Sequence, residues 1–272
     1  MMKRKYVALP YIIWMVAFIV VPLIFVAYYA FTTKEGGITL SNVFAILDSN
    51  HIKATLLSLE LSLICTVICL LIAYPLALMM RSLDLKNKST MLMVLILPMW
   101  MNSVLRIMAL QIILNKNGII NTVIGLVGLG PFSMLNTKGA IVFGIVYDFL
   151  PYMILPIYNA VMDIEDDIID AAADLGASRF EKIFKIMIPL SKAGIISGIT
   201  MVFIPSLTSF VIPELLGGGK IQLLGNIIEQ EFLTTADYNL GSGLSFALLI
   251  FVIIGLLFTE KHEGKDRESN VW

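Results

Sequence analysis

The sequence predicts an all-α membrane protein, with six transmembrane helices and a helix–turn–helix on the cytoplasmic side. Three observations predict it. First, 58% of the 272 residues are hydrophobic and only 14% are charged, with a mean hydropathy of +0.88. Soluble domains run at about 45–50% apolar and about 25% charged, so a soluble chain of this composition would lack polar surface to face water. Second, six apolar stretches are long enough to cross a bilayer. Third, lysine and arginine crowd into alternate connections between those stretches.

A helix rises about 1.5 Å per residue, so a hydrocarbon core of about 30 Å needs roughly 20 apolar residues. The stretches that qualify are Val7–Phe31, Thr55–Met80, Thr90–Leu114, Gly139–Met162, Ser191–Ile212 and Gly241–Phe258. Pro22, Pro75, Pro98, Pro151, Pro156 and Pro205 fall in or near them. Membrane helices tolerate proline where neighbours satisfy the freed carbonyls. The first stretch follows Lys3-Arg4-Lys5, as a signal peptide would. Its apolar run is too long for one, and no small-x-small site ends it, so it reads as a retained helix.

Orientation follows from the cations. Thirteen lie on one side: Lys3, Arg4, Lys5, Arg81, Lys86, Lys88, Arg179, Lys182, Lys185, Lys192, Lys261, Lys265 and Arg267. Five lie on the other: Lys34, Lys53, Lys116, Lys138 and Lys220. The bias puts both termini in the cytoplasm, as an even number of spans requires. The whole chain, 1–272, reads as one transmembrane domain with a cytoplasmic loop at 163–190 and a short tail at 260–272.

Several classes are excluded. A net charge of −1 points to no nucleic acid. Cys65 and Cys69, four apart in one apolar span, read as small residues on one helix face. His51 and His262 have no ligand partners nearby, so no metal site is expected, and nothing calls for a cofactor. No nucleophile–base set points to catalysis. Gly217-Gly218-Gly219-Lys220 has the wrong spacing for a P-loop and reads as a turn. Gly194 and Gly198, four apart, suit close helix packing.

The fourth–fifth connection carries the most information. Asp163, Glu165, Asp166 and Asp167 suit the positive end of a helix dipole. Ile168, Ile169, Ala172 and Leu175 follow at helical spacing, and Gly176 is a C-terminal stop. Ser178 with Glu181 three later is a capping box that starts a second helix. Phe180, Ile183, Phe184 and Met187 give that helix an apolar stripe, and Pro189 ends it.

Asp170-Ala171-Ala172, three residues, Gly176, nine residues, then Ile186-Met187-Ile188-Pro189 resembles the EAA motif of ABC-importer permeases. Asp170 stands where the family has Glu, and Ile188 where it has Leu. The resemblance implies the type I permease fold, with this loop docked into a cleft on a separate ATPase subunit. Small residues at Ala171 and Ala172 would let helix surfaces approach, and Gly176 would permit a turn that a side chain obstructs.

Over nearly its whole length the chain further resembles the PotB-type permeases of spermidine/putrescine importers. Leu97-Pro98-Met99-Trp100-Met101-Asn102-Ser103-Val104-Leu105-Arg106 carries this resemblance, as do Glu214–Lys220 and Leu224-Gly225-Asn226. It implies a homologous second permease, two copies of an ABC ATPase subunit and an extracytoplasmic polyamine-binding protein.

Glu60 and Asp148 lie within apolar spans, where an acid is expensive and by default functional. Tyr147 and Tyr152 flank Asp148, and Trp100 lies in the third span. Carboxylates and aromatic faces suit a polyammonium cargo, which makes Glu60, Trp100, Arg106, Asp148 and Tyr152 candidate pathway residues. The structural reading also stands: Arg106 neutralises Glu60 or Asp148 between packed helices. An ABC permease for another solute, such as an amino acid-like compound, iron or an oxyanion, fits the same loop. A stand-alone secondary transporter would be expected to show inverted repeats, and none is visible.

Overall fold

A computed structural model describes residues 9–82 and 88–269. The cations expected at Lys3, Arg4, Lys5 and Lys86 lie outside the described residues, as do 270–272 of the expected tail. Among the described residues there is no strand, only an isolated bridge between Thr32 and Ile38.

The helices run in chain order as α1 (Leu9–Ala30), α2 (Ser49–Ser82), α3 (Lys88–Ile96, tightening into a 3₁₀ turn at Leu97–Trp100), α4 (Ser103–Leu114) and α5 (Ile119–Leu126). Next come α6 (Lys138–Met162), α7 (Asp166–Asp174), α8 (Arg179–Leu190), α9 (Lys192–Thr208) and α10 (Val211–Gly217). The last two are α11 (Leu224–Leu233) and α12 (Tyr238–Ser269). Among the described residues, five segments are long and apolar enough to cross a membrane, and α9, the second half of the bent pair α8–α9, lies where the fifth span was expected.

Two expectations need correction. The third span, Thr90–Leu114, is not continuous. Pro98 lacks a donor, Met101 is extended, and the Asn102 side chain accepts from the Leu105 amide at 3.2 Å, starting α4 afresh. Ser103–Leu126 is the membrane-long segment there, and Thr90–Trp100 is a shorter apolar helix. The fifth span stops at Thr208; Ser209 is extended, and a new helix begins at Val211. The last helix runs on through Ser269, into the residues expected as a tail, which leaves that expectation as it stood.

Both π-helical stretches, Val16–Val20 and Lys182–Met187, lie just before a proline, Pro22 and Pro189. A proline ring clashes with the carbonyl four residues back, and a widened turn relieves that.

The chain divides into two compact units. The first combines α1 and the following turns with residues 224–255. Two asparagines satisfy carbonyls at the end of α1: Asn42 Nδ2 donates to Thr32 O at 2.9 Å, and Asn239 Nδ2 to the same oxygen at 2.6 Å. Phe31 meets Phe246 edge-on at 4.9 Å. Lys34 pairs with Asp237 at 2.7 Å and holds that carboxyl below its ordinary range.

The second unit spans residues 56–223 and 256 onward. In lipid there is no hydrophobic drive between helices, so contact rests on small residues and close packing. Cys65, Cys69, Ala73 and Ala77 recur every four residues on α2, all fully buried. The two thiols lie 3.8 and 4.0 Å from the Val142 and Val146 carbonyls of α6, which shows how closely the backbones approach. Gly198 of α9 packs on α6, where a Cβ would meet Met153 Sδ at 2.7 Å. One apolar cluster joins Met80, Met153, Ile157, Val161 and Val202. A second joins Leu61, Ile107, Ile141, Ile145, Ile212 and Leu216.

Candidate functional site

Two features stand out, both in the second unit: the α7–α8 hairpin and a polar cleft.

Glu165 is the N-cap of α7, and Asp166 and Asp167 fill its first turn. At its end the Gly176 amide donates to Ala173 O and the Ala177 amide to Ala172 O, both at 2.9 Å. These two bonds form a Schellman motif, with Gly176 at φ +83°. A Cβ at Gly176 finds nothing within 4 Å, so what makes a side chain unfavourable at this turn is the backbone itself. Glycine is required by the left-handed backbone, not by crowding.

The capping box then starts α8: the Glu181 amide donates to Ser178 Oγ at 3.3 Å and the Ser178 amide to Glu181 Oε2 at 3.0 Å. A hydrogen bond from Lys185, with those from Ser178, pulls the Glu181 carboxyl down to about 2. The α8 helix runs one residue past Pro189, and the chain turns by 69° into α9 at Ser191.

The apolar stripe expected on each helix divides between two faces. Ile169, Ile183, Met187 and Ile188 pack into the core, whereas Leu175, Phe180 and Phe184 are exposed. Of the motif residues, Ala172 is buried, Ile186 is half-buried, and Asp170, Ala171, Gly176 and Pro189 are exposed.

Arg81 ties the hairpin to the bundle, which sequence reasoning missed. From the end of α2, its Nη1 donates to the Val161 carbonyl of α6 and its Nη2 to Asp166 Oδ1 at 2.7 Å. Only 13% of the Arg81 side chain is exposed.

The cleft, of about 420 Å³, is lined by Arg106 and Ser103 of α4, Asp148 and Tyr152 of α6, and the break from Thr208 to Phe210, among others. Arg106 lies one turn beyond the Asn102 cap, and its amide bonds the Asn102 carbonyl. Arg106 Nη2 lies 2.7 Å from Asp148 Oδ1, with side chains 5% and 10% exposed. The guanidinium carbon also stands 5.9 Å from the Tyr147 ring centroid. Arg106, Asp148 and Tyr152 are therefore together. Glu60 is apart, half-exposed and paired with Lys138 at 3.2 Å. Trp100 is exposed and does not line the cleft, although its neighbours Met99 and Met101 do.

Residues 73–260 match the family described as binding-protein-dependent transport system inner membrane component. The chain is 37% identical over 253 residues to the spermidine/putrescine transport system permease protein PotB of Haemophilus influenzae, covering 88% of each. It is 34% identical over 252 residues to PotB of Escherichia coli strain K12, covering 90% of this chain and 91% of that protein. In fold it is similar to a chain of a bacterial alginate ABC transporter, solved in complex with an alginate pentasaccharide-bound periplasmic protein. The TM-score is 0.79 at 18% identity, covering 94% of this chain and 91% of that one.

Proposed function

We infer what this protein carries from the premise that the chain belongs to the binding-protein-dependent transport system inner membrane component family. It is a multi-pass permease subunit of an ABC importer with the type I fold, not an enzyme. It works with an ATPase subunit and a binding protein. The finer reading is that residues 1–272 form a single permease domain that translocates polyamines, spermidine and putrescine, across the cytoplasmic membrane. The observation that carries it is identity of 34% and 37% to two PotB permeases over nine-tenths of the chain.

In this reading both termini are cytoplasmic, and the assembly pairs the chain with a homologous second permease, two ATPase copies and a polyamine-binding protein outside. The loop at 163–190 is the coupling element, with Asp170, Ala171, Ala172, Gly176, Ile186 and Pro189 as its motif. Its support is physical: caps fix both helix ends at the turn, and Leu175, Phe180 and Phe184 offer an apolar surface to an ATPase cleft. Closure of the ATPases would move a preformed hairpin as one piece. Arg106, Asp148 and Tyr152 line the pathway, with Glu60 and Trp100 contributing at its approaches. A carboxylate beside aromatic rings suits a chain of ammonium groups.

The test is uptake of labelled spermidine and putrescine by proteoliposomes holding the four components. ATP- and binding-protein-dependent accumulation is expected, with either polyamine competing. Failure of both polyamines, with accumulation of an oxyanion or amino acid-like solute instead, would overturn the cargo assignment.

A further inference from the structure

The Arg106–Asp148 pair is buried, charged and incompletely satisfied. A buried ion pair that serves stability needs good geometry and partners for its remaining donors and acceptors, and the strongest arginine–carboxylate pairs are bidentate. Here one guanidinium nitrogen approaches one carboxylate oxygen at 2.7 Å. Arg106 Nε and Nη1 and Asp148 Oδ1 have no hydrogen-bond partner among the described residues, so even the close contact is poorly directed. The pair forms part of the wall of a cleft of about 420 Å³. A second seat for the guanidinium is at hand, because its carbon already stands 5.9 Å from the Tyr147 ring centroid.

We propose that Arg106 is a tethered stand-in for the cargo's ammonium group at Asp148. The proposal rests on the polyamine reading above. When an alkylammonium enters the cleft, it takes the Asp148 carboxylate, and the guanidinium shifts towards the face of Tyr147, retaining a cation–π contact. When the cargo leaves, Arg106 returns. Net charge in the cleft stays balanced in the empty state without a mobile counter-ion.

The device sets affinity. A bare carboxylate in a low-dielectric cleft would hold a polycation strongly and stall it midway. A cation fixed to the same chain competes at high effective concentration, so binding is weakened and release is fast. Arg106 is then a specificity and release residue, and Asp148 the group that touches cargo.

Labelled spermidine retention decides the matter, measured by equilibrium dialysis on the purified complex of both permeases and the ATPase, with no binding protein present. Arg106→Gln is expected to retain spermidine at least tenfold more tightly than wild type, while uptake turnover falls in the complete system. Arg106→Lys, a single-point competitor of shorter reach, is expected to fall between. Adding Asp148→Asn to Arg106→Gln is expected to abolish the tight retention. Retention by Arg106→Gln no greater than wild type, or equal retention by the double variant, would overturn the proposal. If Arg106→Gln fails to assemble, equal retention by Arg106→Lys and wild type overturns it instead. Wild-type complex that takes up no spermidine at all would remove the polyamine reading, and this inference with it.

Discussion

Gly176 shows how far a single residue's role can be read from its neighbours in the chain. Its position as a helix stop was legible, because caps are local: Gly176 follows α7 closely, and Ser178 and Glu181 are three apart. The helix stop already implied a left-handed residue, whereas the open space around Gly176 is a property of the folded chain. That open space decides which substitution is informative. Aspartate tolerates the left-handed region comparatively well, so Gly176→Asp probes the docking surface rather than the turn. A β-branched residue does not tolerate it, and Gly176→Val is expected to destabilise the hairpin by about 1–2 kcal/mol. Hydrogen exchange at the Ala177 amide should accelerate accordingly, and unchanged exchange would contradict the Schellman assignment. Glu181 adds a pH dependence. Its carboxyl is lowered from 4.5 to about 2, so the stability it contributes is present above 4.5 and lost as pH falls through that window. The protection factor of the Glu181 amide should therefore be flat above pH 4.5 and decline towards pH 2. The Arg106–Asp148 pairing stayed open in the sequence for the opposite reason. The two residues sit in different spans, and nothing local distinguishes Asp148 from Glu60 as the partner of Arg106. Only packing does so, by giving Glu60 to Lys138 at 3.2 Å.

At the scale of elements, hydropathy located the spans but not their interruptions. The break at Met101–Asn102 depends on a capping side chain inside an apolar run, and the break at Ser209 on one extended residue inside another. A window average smooths over both. The small-residue stripe of α2 was partly visible as two cysteines, and the close packing of Gly198 was expected from its spacing with Gly194. The Arg81 tie was invisible, since it joins α2, α6 and α7 through partners far apart in sequence. That tie gives the hairpin a polar connection to the bundle besides its covalent ends and its packed apolar face. Arg81→Gln removes the charge from a side chain only 13% exposed and leaves Asp166 without its cation. The expected outcome is an assembled complex that still hydrolyses ATP but moves several-fold less cargo per ATP. Arg81→Lys should recover part of that ratio. A ratio unchanged in Arg81→Gln would limit Arg81 to a static role.

For the whole molecule, composition alone determined the membrane class, and a loop pattern of fixed length indicated the family to which the chain belongs. Orientation is the next property to measure. Single cysteines in a background with Cys65 and Cys69 replaced should be labelled from outside near Lys220 and not near Arg179, and the reverse pattern would invert the reading. The driving force comes from a separate ATPase, and in the proposed assembly a second permease completes the cargo path. The most direct measurement is therefore ATP-driven accumulation of labelled spermidine in vesicles holding the complete four-component complex, with wild-type chain and Gly176→Val compared side by side. Accumulation by wild type that requires both ATP and the binding protein, and that is lost in Gly176→Val while the ATPase still co-purifies, is the predicted result. Accumulation by the permease chains without an ATPase, or undiminished uptake by Gly176→Val, would contradict it.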